Sequence, residues 1–511
     1  MPDITINKLN DVYIQIVCDM GIATELTDYF KFRVPGYQFT PSYRNKQWDG
    51  YIRLFNPMNR KIYTGLLSHI NYFAESNGYT MALGPGLQDP DPDVYSIEDA
   101  EKFFGKLDPH IIDSKTQKPV PITARDFQVK ALQYAVNNKR QLFLSPTGSG
   151  KSLIIYAIIQ WLQQNKLESG NEKILLLVPT TSLVEQMYTD FKEYSTKNSW
   201  DVERYCHRVY SGHTKDTKKQ VVISTWQSMY KQNIDYLNQF KAIIVDEAHQ
   251  AKAASIKNIL ESMTRCPYRF GTTGTIDDSE THKLILQGLL GQVQRIASTK
   301  ELMDRQELAS LSINCLSLNY GEKDCKTVKK MKYQEEISWL FGNHKRNQFI
   351  ADLGMALPGN TLILVSYTHK HGHDLWKLLQ DAAKETGKPV FYVYGDVDTL
   401  IREKVRKIVE KEATSIILAT YGTFQLGVNI RNLNNIVFAA PSKSTIRVLQ
   451  SIGRSLRIGE EKTTANLYDI VDNLKHGKKS NWAVKHFLVR LKLYISERFK
   501  VRSRQINFRE T

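Results

Sequence analysis

The sequence predicts an α/β protein: two domains built on parallel sheets, a small α+β unit ahead of them, and a basic helical tail behind. Three observations carry that prediction. From about residue 119, short apolar runs alternate with helical stretches, the pattern of parallel sheets covered on both faces. The alternation restarts near residue 310, which gives a second domain of similar rhythm. At 511 residues the chain is long enough for about three domains, each with its own core.

Taken in order, residues 1–110 form the first unit. Partial alternation over 4–16 suits one or two strands, and 24–30 suits a short helix capped by Thr24. Between Lys31 and Lys61 stand seven basic residues and one acidic residue, Asp49. Tyr37, Phe39, Tyr43, Trp48, Tyr51 and Phe55 are interleaved with them. Cations among rings can hold phosphates while the rings stack on bases, so Arg44, Lys46, Trp48 and Arg53 are candidate nucleic-acid contacts. The competing expectation makes the rings a small domain's core and the charges its solvated face. Gly84-Pro-Gly and Asp89-Pro-Asp-Pro-Asp93 read as a turn-rich linker.

The next domain, 111–305, is expected to place strands at 141–144, 174–178, 221–225, 242–245 and 268–272. The one after it, 306–475, should place them at 361–366, 390–394, 415–419, 435–439 and 464–469. The tail, 476–511, is expected to be helical. From Lys475 onward eleven Lys or Arg face only Glu497 and Glu510. Val484, Leu488, Leu491 and Ile495 recur at helical spacing and are expected to pack inward. The remaining basic face is either solvated or tracks phosphates.

Lys and Arg outnumber Asp and Glu by 69 to 53, a formal charge of +16, which favours a polyanionic partner. No apolar run is long enough to span a bilayer, and Met1-Pro-Asp-Ile-Thr-Ile lacks the start of a secretion signal. Neither leader nor membrane anchor is expected. Cys18, Cys206, Cys266, Cys315 and Cys325 include no CxxC pair, which argues for a reducing cytoplasm and against structural zinc.

Ser145-Pro-Thr-Gly-Ser-Gly-Lys-Ser152 lies between the strand 141–144 and a helical run, 153–162. Strand, glycine-rich turn and helix is what a phosphate-binding loop requires. Pro146, Thr147, Gly148, Ser149 and Gly150 would form the cradle, and the helix start adds partial positive charge. Lys151 is expected on the β- and γ-phosphates and the Ser152 hydroxyl on Mg²⁺. Ser145 stands where such loops usually have their first glycine. Farther on, the strand 242–245 ends in Asp246-Glu-Ala-His249. Asp246 is placed to hold Mg²⁺ through water, and Glu247 to orient and deprotonate an attacking water. ATP and Mg²⁺ are therefore the expected ligands.

From Arg125 to Asp472 the order of motifs resembles the superfamily 2 helicases, which implies two RecA-like lobes. Arg125-Asp-Phe-Gln128 is similar to the adenine-reading motif, with Arg125 and Gln128 near the base. Pro179-Thr-Thr-Ser-Leu-Val-Glu-Gln186 and Ser224-Thr-Trp-Gln-Ser228 resemble motifs that touch the nucleic-acid backbone, implicating Thr180, Thr181, Thr225 and Trp226. Thr272-Thr-Gly-Thr275 resembles the segment coupling hydrolysis to lobe movement, implicating Thr273 and Thr275 together with His249. In the second lobe, Leu364-Val-Ser-Tyr-Thr368 is similar to the motif after that lobe's first strand. Thr420-Tyr-Gly-Thr-Phe-Gln-Leu-Gly-Val-Asn429 resembles a motif touching backbone through Thr420 and nucleotide through Gly427. Asn429 stands where Asp is common. Gln450-Ser-Ile-Gly-Arg-Ser-Leu-Arg457 has the Q-x-x-G-R-x-x-R spacing. Gln450, Arg454 and Arg457 would there act on the phosphates, since a guanidinium fork can stabilise charge developing on them.

Outside the motor the chain resembles the phage recombination helicases of the UvsW type. Gly36-Tyr-Gln-Phe39 and Trp48-Asp-Gly-Tyr-Ile-Arg-Leu54 carry the likeness in the first unit. Tyr333-Gln-Glu-Glu336 and Lys345-Arg-Asn347 carry it at the second lobe's entry. That family implies an ATP-dependent DNA helicase with 3′-to-5′ polarity. Its substrates would be branched: Holliday junctions, forks and R-loops, with their RNA–DNA hybrids. Its setting would be recombination, replication and repair, as a monomer in a bacterial host's cytoplasm. An RNA helicase, a duplex translocase subunit of a restriction or remodelling machine, and a clamp with an inactive ATPase stay open as alternatives.

Overall fold

The computed structural model describes every residue except 1, 35, 88–93, 114–115, 169–171, 211–213, 253, 276–279, 426–431, 443, 445–463, 478 and 509–511. Asp89, Asp93, Gly427, Asn429, Gln450, Gly453, Arg454 and Arg457 therefore lie outside the described residues. The chain divides into two compact units, residues 1–145 with 150–296 and residues 146–149 with 297–511.

In the first unit, β1 (Ile4–Lys8) and β2 (Tyr13–Val17) bury every second residue, as a half-covered sheet requires. β3 (Lys31–Arg33) and β4 (Tyr51–Arg53) form a separate antiparallel pair. β5 (Lys61–Tyr63) and β6 (Met81–Leu83) complete a sheet ordered β5-β2-β1-β6. The helix expected at 24–30 is Met20–Tyr29, and Thr24 is not its cap. Asp19 is: its carboxylate accepts from the Ile22 amide at 2.8 Å, while the Thr24 hydroxyl donates backward to Met20 O. An ionised acceptor serves the first-turn amides better than a hydroxyl inside the helix.

After the short pair β7 (His110–Ile112) and β8 (Pro119–Pro121) comes the first large sheet. It comprises β9 (Arg140–Leu144), β10 (Lys173–Val178), β11 (Cys206–Val209), β12 (Val221–Thr225), β13 (Phe240–Asp246), β14 (Tyr268–Thr273) and β15 (Val293–Arg295). All neighbours are parallel, in the order β11-β12-β10-β13-β14-β9-β15. The five strands expected from the sequence are all interior. The two it does not reveal, β11 and β15, are the edges, whose half-exposed polar residues break the apolar run.

The small sheet and this large one share a continuous core, in which Ile14, Leu66 and Ile70 join Ile243, Leu286 and Leu290. Polar contacts reinforce it. Tyr13 and Tyr63 stack at 5.4 Å, and both hydroxyls donate to Glu261, at 3.2 and 2.5 Å. Arg140 donates to the Asp11 carbonyl. Gly65 lies so close to the Gln287 carbonyl that any Cβ would collide with it.

The second unit repeats the parallel plan. Its sheet comprises β16 (Ser310–Tyr320), β17 (Thr361–Val365), β18 (Val390–Val393), β19 (Ile416–Thr420), β20 (Asn435–Phe438), β21 (Thr464–Asn473) and β22 (Lys500–Phe508). The order is β18-β19-β17-β20-β21-β16-β22, again parallel throughout. Two buried ion pairs anchor it. Arg346 grips Asp472 at 2.7 and 3.0 Å, and Arg490 grips Asp469 at 2.7 and 2.8 Å.

The tail departs from expectation twice. Its helix, Trp482–Ser496, is followed by a strand, β22, rather than by more helix. The helix is also turned over. Ala483, His486, Arg490 and Tyr494 face inward, while Leu488 and Ile495 are 48% and 64% exposed. Asp469 explains the reversal. A carboxylate buried in β21 needs partners, and Arg490 together with the Tyr494 hydroxyl, 2.8 Å away, supplies them from the polar side.

Candidate active site

The phosphate-loop sequence leaves β9 and enters the helix Lys151–Asn165. Gly148 and Gly150 have φ of 87° and 76°, a left-handed geometry that glycine adopts without strain. At Gly150 a Cβ would also press on the Gln128 side-chain amide. Gln128 is buried, and its Oε1 accepts from the Arg125 amide at 2.9 Å. Arg125 lies 5.9 Å from the Phe127 ring. The upstream motif and the loop thus meet in one place. Ser145 is fully buried, and its N–H donates to Thr273 O at 2.8 Å, which ties the start of the loop to the end of β14. The Ser149 hydroxyl closes the turn onto Pro146 O, and Thr147 sits at its apex.

β13 delivers Asp246 and Glu247 beside this loop. Lys151 Nζ lies 3.1 Å from Glu247 Oε1. Thr272, from the adjacent β14, donates to Asp246 Oδ1 at 2.7 Å. Burial and the neighbouring Glu247 carboxylate push Asp246 above the usual range, against the pull of Lys151 and Thr272. Burial also acts to raise Glu247, but the Lys151 ammonium and His249 outweigh it and hold that carboxyl well below its ordinary value. Glu247 has φ of 51°, left-handed for a residue with a side chain, the kind of backbone strain that gathers at functional sites.

The residues assigned to coupling converge too. His249 Nδ1 lies 3.2 Å from Glu247 Oε2 and 3.1 Å from Thr273 Oγ1. The Thr273 hydroxyl donates to Thr275 O at 2.7 Å, so it can only accept from His249, which places the proton on Nδ1. A polar chain therefore runs from Lys151 through Glu247, His249 and Thr273 to Thr275.

Two members of the site escape sequence reasoning. Thr272 belongs to a motif recognised as a whole, but its bond to Asp246 depends on the β13–β14 register. Tyr194 closes the helix Thr181–Tyr194, and its hydroxyl lies 2.8 Å from Ser152 Oγ. Nothing in the spacing of residues 152 and 194 announces that contact.

The candidate nucleic-acid residues fall into two kinds. Thr180 caps its helix, accepting from the Leu183 amide at 3.3 Å, and Thr181 beside it is exposed. Thr225 is buried against the Ser228 hydroxyl, and Trp226 is half-buried. Thr420 binds the Thr423 hydroxyl at 2.8 Å. In the small sheet domain, Phe55 is core, Phe39 is 69% exposed, and the other rings are half-buried. Arg33 lies over Tyr37 and Tyr51 at 4.5 and 5.1 Å. A 570 Å³ cleft beside them is lined by Tyr43, Arg44, Lys46, Trp48 and Asp49. Trp48 is fixed there by its indole N–H on Tyr51 O at 2.7 Å. Arg53 is held by Asp49 at 2.5 Å, and that bond brings the Asp49 carboxyl down to about 2.

A phosphate loop, an acidic strand end and a threonine-rich strand end on one parallel sheet, followed by a second parallel sheet, define a superfamily 2 helicase motor. Comparison with known proteins specifies it further. Residues 3–84 match the family model "DNA helicase UvsW, N-terminal", 121–278 match "Type III restriction enzyme, res subunit", and 345–459 match "Helicase conserved C-terminal domain". The ATP-dependent DNA helicase uvsW of Enterobacteria phage T4 is 31% identical, with 99% of this chain and 100% of that protein aligned. The crystal structure of T4 UvsW superposes with a TM-score of 0.52 at 29% identity, covering 99% of each chain. Mss116p bound to single-stranded RNA and AMP-PNP, at 14% identity and a TM-score of 0.53 over 83% of this chain and 81% of its own, shares the fold alone. The chain belongs to the UvsW family of ATP-dependent DNA helicases.

Proposed function

We propose that this helicase unwinds and branch-migrates branched DNA (Holliday junctions, forks and R-loops) with 3′-to-5′ polarity, as a monomer serving recombination, replication and repair in a bacterial host's cytoplasm. The observation that carries the proposal is the N-terminal surface. Its cleft, with Arg44, Lys46 and Trp48, belongs to a domain that shares its core with the ATPase sheet. Cations and a half-open indole can meet a backbone and an unstacked base together, as a junction presents them.

In the ATP site, Lys151 would leave Glu247 for the β- and γ-phosphates. The Glu247 carboxylate, still buried but without its nearest cation, would become the stronger base for the attacking water. The donor set suits Mg²⁺, because the Ser152 hydroxyl and the Asp246 carboxylate are hard oxygens and a cation would offset the burial and the Glu247 charge that raise Asp246. Among the described residues no cluster of three or more His, Cys, Asp or Glu could hold a metal by itself. Bound there, Mg²⁺ would supply charge neutralisation for phosphate oxygens. Gln450, Arg454 and Arg457 keep their assignment to the phosphates, and Gly427 to the nucleotide, by resemblance to the family's motifs. Thr180, Thr181, Thr225, Trp226 and Thr420 keep theirs to the DNA backbone, and His249, Thr273 and Thr275 theirs to coupling.

The test is an unwinding panel of forks, four-way junctions, R-loops, plain duplex DNA and RNA duplexes, with Lys151→Ala as the ATP control. ATP-dependent strand separation is expected to be fastest on the branched DNAs and absent in the control. A preference for RNA duplexes, or ATP turnover on duplex DNA without strand separation, would sink the proposal.

A further inference from the structure

The outermost strand of the second unit carries a row of cations that the helicase motifs leave unused. β22 pairs with β16 in continuous register, from Ser312 opposite Lys500 to Tyr320 opposite Phe508, and is the last strand on that side. Its two halves differ. Ile506 and Phe508 are packed inward, with the Phe508 ring 5.4 Å from Tyr320 and 5.7 Å from Phe349. Lys500, Arg502 and Arg504 stand on the same face but are exposed. Arg498, also exposed, precedes them in a left-handed turn with φ of 55°. Alternate residues of a strand are about 6.6 Å apart, so three guanidinium or ammonium groups can follow one backbone phosphate after another.

These charges have no structural duty in view. The neighbouring buried carboxylates, Asp469 and Asp472, are taken up by Arg490 and Arg346. Among the described residues no carboxylate lies within ion-pair distance of Arg498, Lys500, Arg502 or Arg504. Charges on an edge strand discourage edge-to-edge pairing, but either sign would do that, and every charge from 498 to 504 is positive. Their place in the sheet separates them from the second unit's described helicase motifs. Because every pairing in this sheet is parallel, the start of β22 lies at the end opposite to where residues 366–368 leave β17 and Thr420 ends β19.

We propose that Lys500, Arg502 and Arg504, with Arg498 beside them, form a second DNA site that grips the sugar–phosphate backbone of a duplex arm at the sheet end opposite residues 366–368 and Thr420. The site rests on the family's DNA helicase activity and not on which junction is preferred.

The experiment compares the full chain with the triple variant Lys500→Gln, Arg502→Gln, Arg504→Gln. Binding to a four-way junction, a plain duplex and a short single strand is followed across a salt series by fluorescence anisotropy. For the variant, affinity for the junction is expected to fall about tenfold or more near physiological salt. The slope of log K against log salt should shrink by about 2.7, three phosphate contacts' worth of counterion release. The short single strand should show a much smaller loss in both readouts. The charge-retaining variant Arg502→Lys, Arg504→Lys should keep the slope, which a merely structural role for these side chains would not predict. An unchanged slope on the junction overturns the site, and so does an equal loss on junction and single strand. Weakening on plain duplex and junction alike supports a grip on duplex arms, and the branched-DNA preference is decided separately by the unwinding panel.

Discussion

At the scale of single residues, the site is organised around Glu247. Its left-handed backbone costs on the order of 1–3 kcal/mol, and the side chain so presented meets Lys151 on one oxygen and His249 on the other. Replacing Glu247 with Gln keeps the shape and removes the charge. ATP turnover is expected to fall by about 10²–10⁴-fold with nucleotide still bound, as single-turnover hydrolysis beside a nucleotide-binding titration would report. Turnover within a few-fold of the parent chain would take Glu247 out of the base role. Lys151, Asp246 and Glu247 were legible because each sits at a fixed offset from a strand end that the apolar pattern reveals. Thr272 and Tyr194 were not, because their contacts depend on strand register and on how two helices are staggered.

At the scale of elements, apolar periodicity located every interior strand of the first sheet and missed its edges, whereas in the second sheet it located the edge β18 and missed the interior β16 and the edge β22. β11, β15, β16 and β22 carry polar residues that break the apolar run, so their sequences do not read as buried strands. Periodicity also found the tail helix but could not say which side faces in. Val484, Leu488, Leu491 and Ile495 repeat at the right interval, yet the demand of one buried carboxylate on β21 outweighs them. Truncating Asp469 to Ala would leave Arg490 buried without its counter-charge, at a cost of about 3–5 kcal/mol. Chemical denaturation should show that loss. A change below about 1 kcal/mol would mean that the apolar stripe, and not the ion pair, sets the helix's orientation.

At the scale of the whole molecule, two parallel sheets and a preceding small domain could be read from alternation and motif order. What alternation could not show is that the small domain's core is continuous with that of the first large sheet. Ile14, Leu66 and Ile70 are buried partly against Leu286 and Leu290, with Gly65 fitted against the Gln287 backbone. Deleting residues 1–87 is therefore expected to lower the melting midpoint and the ATPase together, because it exposes the apolar residues, Leu286 and Leu290 among them, that share its core. A truncated chain that melts as the intact one does and keeps its ATPase would refute the shared core.

That shared core has a mechanical consequence. The cleft around Trp48 belongs to a domain whose buried residues run on into those of β10 and β13, so that domain does not hang on a tether. That domain's offset from the acidic end of β13 is set by packing, as the jaws of a fixed-gauge tool are set by the casting. DNA seated in the cleft, as proposed above, would be held at a constant distance from Asp246 and Glu247, and DNA whose arms diverge differently would have to bend to meet it or be passed over.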